Sequence, residues 1–131
     1  RVDDARELFD RMPVRDVVSW NAMISGYVQV GRFEEALVLF EEMRSVNVTP
    51  SVSTLLSILS ACARIGELKL GNWVRLWIED HGLGLEIRLV NALIDMYAKC
   101  GDVKTARMLF EGLKEKDLVS WNVMIGGYTC T

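Results

Sequence analysis

Residues 17–27 read VVSWNAMISGY, and residues 118–128 read LVSWNVMIGGY. The two stretches lie 101 positions apart, and at that offset 14 of the first 30 residues are identical without a gap. Repetition at this level is typical of proteins built from stacked copies of one small unit. The sequence therefore predicts a repeat architecture.

Three glycines subdivide the repeat. Gly31, Gly66 and Gly101 lie 35 residues apart, and each separates two stretches whose apolar residues recur at helical spacing. The residue after a helix end often has a positive φ, which glycine adopts without a steric penalty. Asn47 and Gly82 lie 35 residues apart after the second helices and suit the same left-handed cap. We expect helix–turn–helix units of 35 residues, with one shorter unit of 31.

A single helical hairpin cannot bury its apolar face, so neighbouring hairpins must stack on one another. The predicted fold is therefore an all-α solenoid of helix–turn–helix repeats. In this interpretation the aromatic and methionine stripes form the core. No cofactor is needed to explain them.

Composition narrows the possible functions. Half of the 131 residues are hydrophobic and a quarter are charged, which indicates a folded chain. No run of 18 apolar residues occurs, so no membrane contact is expected, and no targeting segment is visible. The net charge of −3 argues against a bulk nucleic-acid binder, because phosphate contacts need a surplus of Lys and Arg. Any nucleic acid would be held through its bases.

The reactive side chains do not form a recognisable site. Cys62, Cys100 and Cys130 are widely spaced, which favours buried or half-buried free thiols over a disulfide framework or a zinc site. His81, the single histidine, stands at the end of a helical stretch and is better interpreted as a cap than as a catalyst. There is no phosphate-binding loop, nucleophile elbow or zinc-deaminase signature. We expect no enzymatic activity, metal or cofactor.

Three phrases carry a resemblance to a family: VVSWNAMISGY at 17–27, LLSILSACARIGELKLG at 55–71 and NALIDMYAKCG at 91–101. They resemble the plant pentatricopeptide-repeat family, and specifically its PLS subclass, in which P, L and S motifs alternate. The resemblance implies a right-handed superhelical solenoid. The motifs would be the end of an S motif (1–16), a P motif (17–51), an L motif (52–86), an S motif (87–117) and the start of a truncated P motif (118–131).

Asn21, Asn91 and Asn122 each occupy the fifth position of their motif. One interpretation is structural, since Asn near a helix start can bond its own backbone. The other is functional, because a carboxamide offers a donor and an acceptor to the Watson–Crick edge of a base. The same position of successive hairpins lines one groove, where each repeat can take one base of a single RNA strand.

The resemblance assigns roles to these positions. In the family the fifth residue selects the base together with the last residue of the motif, and the second residue wedges between bases. The implied base-reading residues are Asn21 with Ser51 (cytosine over uracil), Asn91 with Asp117 (uracil), Asn122 (a pyrimidine) and Asp16 (uracil or guanine). The implied wedges are Val18, Val119 and Arg88. Arg88 departs from the aliphatic type, although a guanidinium can stack on a base.

The L motif differs, because Ser53, Leu56 and Glu86 occupy its second, fifth and last positions. Leucine has no donor or acceptor, so this repeat is expected to space the strand without selecting a base. In the family, small editing-partner proteins dock at L motifs. An apolar residue here is compatible with such a contact or with core packing.

With the N-terminal repeat toward the 5′ end, the implied target in single-stranded organelle RNA is 5′-(U/G)-(C>U)-N-U-(C/U)-3′. The resemblance implies the site-recognition part of a chloroplast or mitochondrial C-to-U RNA-editing factor. The alternative is a helical scaffold that binds partner proteins. The sequence pI of about 5.2 favours the scaffold. The recurring Asn with Asp or Ser at the motif end favours RNA binding.

Overall fold

The structure, a computed structural model, describes residues 1–130. Over that range every regular element is a helix, which confirms the all-α prediction. The helices are α1 (Val2–Arg11), α2 (Val17–Gln29), α3 (Phe33–Ser45), α4 (Val52–Ile65), α5 (Leu68–Asp80), α6 (Ile87–Lys99), α7 (Val103–Glu111) and α8 (Leu118–Cys130). The chain divides into two compact units, the first Arg1–Ala61 and the second beginning at Cys62.

The left-handed residues lie where the sequence predicts them. The values of φ are 81° at Gly31, 76° at Gly66, 91° at Gly101, 71° at Gly82 and 59° at Asn47. The turn after α6 shows what this conformation achieves. There the Asp102 N–H, one residue beyond Gly101, donates to the carbonyl oxygen of Tyr97 over 2.8 Å. The bond satisfies a helix-end carbonyl, which is the usual role of such a turn.

In the first unit, α2 packs against both α1 and α3. Phe9 of α1 meets Trp20 of α2 edge to face, with ring centroids 5.0 Å apart. Ile24 and Phe40 are fully buried. The apolar stripes of this unit are therefore its core, as predicted.

In the second unit, α6 packs against α5, α7 and α8. Two glycines permit close approach to it. A Cβ added at Gly71 of α5 would lie 2.5 Å from the side chain of Met96, and one added at Gly127 of α8 would lie 2.8 Å from the Cβ of Ala98. Real Cβ atoms do not approach this closely, so both helices contact α6 through glycine at these points.

One face of α8 is uncovered. Trp121 and Ile125 are 51% and 58% exposed, whereas their counterparts in the first copy, Trp20 and Ile24, are 3% and 0% exposed. In the first copy α3 packs against α2. No helix follows α8 in the described chain, so the equivalent face remains open to solvent.

The cysteine prediction is right for two residues and wrong for one. Cys62 is buried and Cys100 is half-buried, but Cys130 is exposed, because it lies in the last turn of α8 and no other element of residues 1–130 covers it. All three thiols are free. Burial raises the pKa of Cys62 to about 12, and burial also raises the pKa of Cys100.

His81 caps the C-terminal end of α5, as predicted. Its Nδ1 lies 2.8 Å from the carbonyl oxygen of Trp77, and its ring stacks on the Trp77 ring with centroids 3.7 Å apart. The imidazole is therefore held at the C-terminal end of α5 by its contacts with Trp77. Among residues 1–130 no helix is long and apolar enough to cross a bilayer, and no three His, Cys, Asp or Glu side chains in that range cluster as metal ligands.

Candidate nucleic-acid interface

Asn91 and Asp117 are in direct contact in the second unit. Asn91 lies on α6, and Asp117 immediately precedes α8, where its Oδ1 accepts from the N–H of Ser120 over 2.8 Å. The Nδ2 of Asn91 donates to the same Oδ1 over 3.1 Å. The Oγ of Ser120 donates to the Oδ1 of Asn91 over 2.7 Å. We call Asn91, Asp117 and Ser120 the second triad.

The first unit contains the same arrangement. Asn21 lies on α2, and its Nδ2 donates to the Oγ of Ser51, just before α4, over 2.8 Å. The Oγ1 of Thr54 donates to the Oδ1 of Asn21 and accepts from the N–H of Ser51 over 3.0 Å. We call Asn21, Ser51 and Thr54 the first triad. The structure thus brings together both pairs that the family resemblance implied.

The carboxamides therefore bond to the start of the following repeat rather than to their own helix start. Asn91 is only 5% exposed, and Asn21 is half-buried. A carboxamide has two N–H donors and two acceptor lone pairs. After the triad bonds each Asn retains one N–H and one lone pair that no triad partner uses.

The two triads differ in the chemistry of their middle residue. The hydrogen bond from the backbone N–H of Ser120, together with that from the amide of Asn91, lowers the pKa of Asp117. Asp117 is exposed and is a carboxylate at neutral pH, so it can only accept hydrogen bonds. Ser51 occupies the same place with a hydroxyl, which can donate as well as accept. The first triad can therefore donate a proton to a ligand through Ser51, whereas the Asp117 carboxylate of the second triad cannot.

The two remaining base-reading candidates, Asp16 and Asn122, are not part of a triad in the described chain. Asp16 accepts from the N–H and Oγ of Ser19 over 2.9 and 3.0 Å, which lowers its pKa and repeats the cap of Asp117. Asn122 is exposed and lines a surface cleft with Asp95 and Lys99. Neither residue has the other half of a triad within the described chain.

The wedge candidates are accessible. Val18 is 69% exposed and Val119 is 53% exposed, both large fractions for valine. Arg88 is exposed, and its guanidinium forms a two-point ion pair with Glu86, with Nε–Oε1 and Nη2–Oε2 distances of 3.1 and 3.3 Å. This pairing lowers the pKa of Glu86. Glu86 therefore orients the guanidinium.

The positions predicted not to read a base do not form a triad. Ser53 is exposed and Leu56 is half-buried. No triad can form on Leu56, because its side chain has neither a donor nor an acceptor. Glu86 is the last residue of the same stretch. Its carboxylate accepts hydrogen bonds from the guanidinium and from the backbone N–H of Arg88.

Sequence reasoning missed Thr54 and Ser120. Each lies three residues after the capping residue of its helix, a spacing that allows reciprocal capping hydrogen bonds. That spacing was the available signal. It identifies a helix start, but it does not indicate a bond to an Asn in the preceding repeat.

Comparison with known proteins gives a consistent result. A sequence profile described as the PPR repeat family matches residues 15–64, and one described as PPR repeat matches residues 89–118. A chloroplastic pentatricopeptide repeat-containing protein of Arabidopsis thaliana is 56% identical over 129 residues, which is 97% of this chain and 17% of that protein. A mitochondrial one from the same plant is 42% identical over 126 residues, which is 96% of this chain and 18% of that protein.

The chain spans about a fifth of the length of the curated relatives that it matches. Within that span one profile covers α2, α3 and most of α4, and the other covers most of α6 and all of α7. These matches show that the chain belongs to the pentatricopeptide-repeat family, and the helical hairpins described within residues 1–130 agree with them.

Proposed function

We propose that the chain is a sequence-specific module for single-stranded RNA that takes one base per repeat. In this proposal it is the site-recognition part of an organelle C-to-U RNA-editing factor. The observation that carries the proposal is the recurrence of the triad, which presents a carboxamide and a cap side chain together in both units. Proteins of this family generally bind RNA, which supports it further.

The chemistry of the triads supports different bases at the two repeats. Uracil carries a proton on N3, whereas the N3 of cytosine is an acceptor. The Asp117 carboxylate can accept from the N3–H of uracil but would repel the N3 lone pair of cytosine. The Ser51 hydroxyl can donate to N3 of cytosine. In each case the free N–H of the Asn can donate to a pyrimidine carbonyl oxygen.

The exposed second positions support a stacked strand. Val18 and Val119 would insert between successive bases, and Arg88 would lie flat on one, held by Glu86. Stacking on a planar or apolar side chain tolerates any base. These residues would therefore supply affinity, and the triads would supply selection.

The P, L and S assignment belongs to the same proposal. Helices α2, α4, α6 and α8 begin at Val17, Val52, Ile87 and Leu118, the first residues of the assigned motifs. The L motif, with Leu56 in place of Asn, would pass one nucleotide without selecting it. It would also be the docking position for a small editing-partner protein.

The expected target is 5′-(U/G)-(C>U)-N-U-(C/U)-3′, read from the N-terminal repeat. The net charge of −3 implies few phosphate contacts, so the affinity should depend weakly on salt. The mitochondrial and chloroplastic names of the relatives support an organelle location for the protein.

The proposal is tested by titrating the ¹⁵N-labelled chain with four RNAs that differ only at the nucleotide opposite repeat 87–117. NMR detects weak binding, which suits a chain with few repeats. We expect the Asn91 side-chain amide to shift most, and at the lowest RNA concentration, with uracil. Equal responses to all four RNAs would contradict base reading. Binding of a protein partner that RNA does not displace would favour the scaffold.

A further inference from the structure

We propose that Thr54 and Ser120 are positioning residues for base selection and that they act through their hydroxyls. They hold the carboxamides of Asn21 and Asn91 in the orientation that a base meets. The inference rests on the proposed function and extends it. It makes the third residue of the following motif a member of each reading site, beside the fifth and last residues of the motif.

Hydrogen counting defines the second triad. The Ser120 Oγ lies 2.7 Å from Asn91 Oδ1 and 2.8 Å from Asp117 Oδ1, but the hydroxyl has a single proton. Asp117 Oδ1 already accepts from the Ser120 N–H and from Asn91 Nδ2. Those two bonds fill its lone pairs, so the hydroxyl proton goes to Asn91 Oδ1. Both ends of the carboxamide are then held.

In the first triad the orientation of the carboxamide depends more on the third residue, Thr54, than it depends on Ser120 in the second. Asp117 can only accept, so it admits only the orientation in which the Asn91 Nδ2 faces it. Ser51 can donate or accept, so its contact with Asn21 is compatible with either end of the carboxamide. Thr54 supplies the second contact, to Asn21 Oδ1. Without it, Asn21 could turn over and offer a base either its oxygen or its nitrogen.

The chain itself contains the comparison that supports this role. A hydroxyl stands at the third position where the preceding motif has Asn at the fifth: Thr54 follows Asn21, and Ser120 follows Asn91. Where the fifth residue is Leu56, the corresponding residue is Leu89, which is fully buried. The hydroxyl therefore accompanies the carboxamide within this chain.

The first test uses no RNA. Relaxation of the side-chain ¹⁵NH₂ groups reports how rigidly each carboxamide is held. In Thr54→Val we expect the order of the Asn21 amide to fall toward that of exposed Asn122, and in Thr54→Ser to stay as in the wild type. Ser19→Ala is the matched control, because it removes the equivalent capping hydroxyl beside Asp16 and should leave Asn21 unchanged. An Asn21 amide equally ordered in Thr54→Val would overturn the proposal.

The second test measures selection with four RNAs that differ at the nucleotide opposite repeat 17–51. Thr54→Val should reduce the preference for cytosine roughly two- to tenfold, the worth of one hydrogen bond, and Thr54→Ser should restore it. Ser120→Ala should reduce selection at repeat 87–117 by less, because Asp117 still orients Asn91. Equal weakening for all four bases would overturn the proposal.

Thermal unfolding followed by circular dichroism separates misfolding from loss of selection. If Thr54→Val fails to fold, Ser120→Ala tests the same role of the hydroxyl through the order of the Asn91 amide and the base preference at repeat 87–117. A wild-type chain without base preference would contradict the proposed function. The amide relaxation would still decide whether the hydroxyls orient the carboxamides.

Discussion

Asn91 and Asp117 are 26 residues apart in sequence and are joined by a hydrogen bond of 3.1 Å from Nδ2 to Oδ1. The bond links the first helix of one repeat to the cap of the next. Asn21 and Ser51 repeat it over 2.8 Å in the other unit. The positions proposed to read one base are thus already preassembled without RNA, which lowers the entropic cost of binding.

Exchanging the cap residues should exchange the base preference. Asp117→Ser replaces an obligate acceptor with a hydroxyl, so the preference at repeat 87–117 should move from uracil to cytosine by about tenfold. Ser51→Asp should produce the opposite change at repeat 17–51. Competition between two labelled RNAs measures both variants. A preference that stays at uracil in Asp117→Ser would show that Asp117 does not contact the base.

Replacing the carboxamide should change the size of the accepted base. Asn91→Thr shortens the side chain and leaves room for a purine, while Asp117 can still accept from the N1–H of guanine. We expect the preference at that nucleotide to move from uracil to guanine, with the other positions unchanged. Fluorescence anisotropy with A, C, G and U at that position checks this. Equal weakening for all four bases would identify Asn91 as a structural residue.

The left-handed turns should be sensitive to a Cβ. Gly101 has φ of 91°, so Gly101→Ala should lower the free energy of unfolding by about 1–2 kcal/mol. Gly126 of α8 is the matched control, because a Cβ there meets no atom within 4 Å and the residue is helical. Gly126→Ala should be neutral or stabilising by up to ~1 kcal/mol. Urea unfolding of both variants tests the contrast.

The capping carboxylates predict an acid-sensitive stability. Hydrogen bonds lower the pKa of Asp16, Asp102 and Asp117 below the usual 3.8, chiefly those from the residue three positions later. A lowered folded-state pKa means that the stabilisation is complete above the unfolded value. It is lost as the pH falls below 3.8 through the folded values. Unfolding should be measured from about pH 6 down through the range in which Asp titrates. The free energy of unfolding should show this loss.

Asp117→Asn keeps a capping side chain and removes one of these ionisations. Its stability should therefore fall less steeply with acid than that of the wild type. An identical slope would show that Asp117 does not contribute to the pH dependence.

The spacing of glycines in the sequence predicted much of the fold, because a positive φ at a helix end is a local requirement that only a few residue types meet. Gly31, Gly66 and Gly101 therefore located three turns correctly. Cys130 was predicted wrongly because its exposure depends on whether another helix covers it. That is a property of the tertiary structure and has no local signal.

The pairing of Asn91 with Asp117 came from a family resemblance, and the structure brings the two residues together without testing their role. Ser120 was missed for a physical reason. Its capping function explains the residue completely at the sequence level, so nothing local points to a second bond across 29 residues. The burial of Asn91 was also not predictable, since it arises from packing between α6 and α8.

The uncovered face of α8 provides an optical reporter. Phe110 and Trp121 have the same 5.0 Å edge-to-face geometry as Phe9 and Trp20, yet Trp121 is 51% exposed and Trp20 is 3% exposed. The emission of Trp121 should therefore be red-shifted and quenched by iodide, while that of Trp20 should be blue-shifted and protected. Any helix that covers α8, from the same chain or a partner, should shift the Trp121 emission to the blue. The Trp121→Phe difference spectrum isolates that signal.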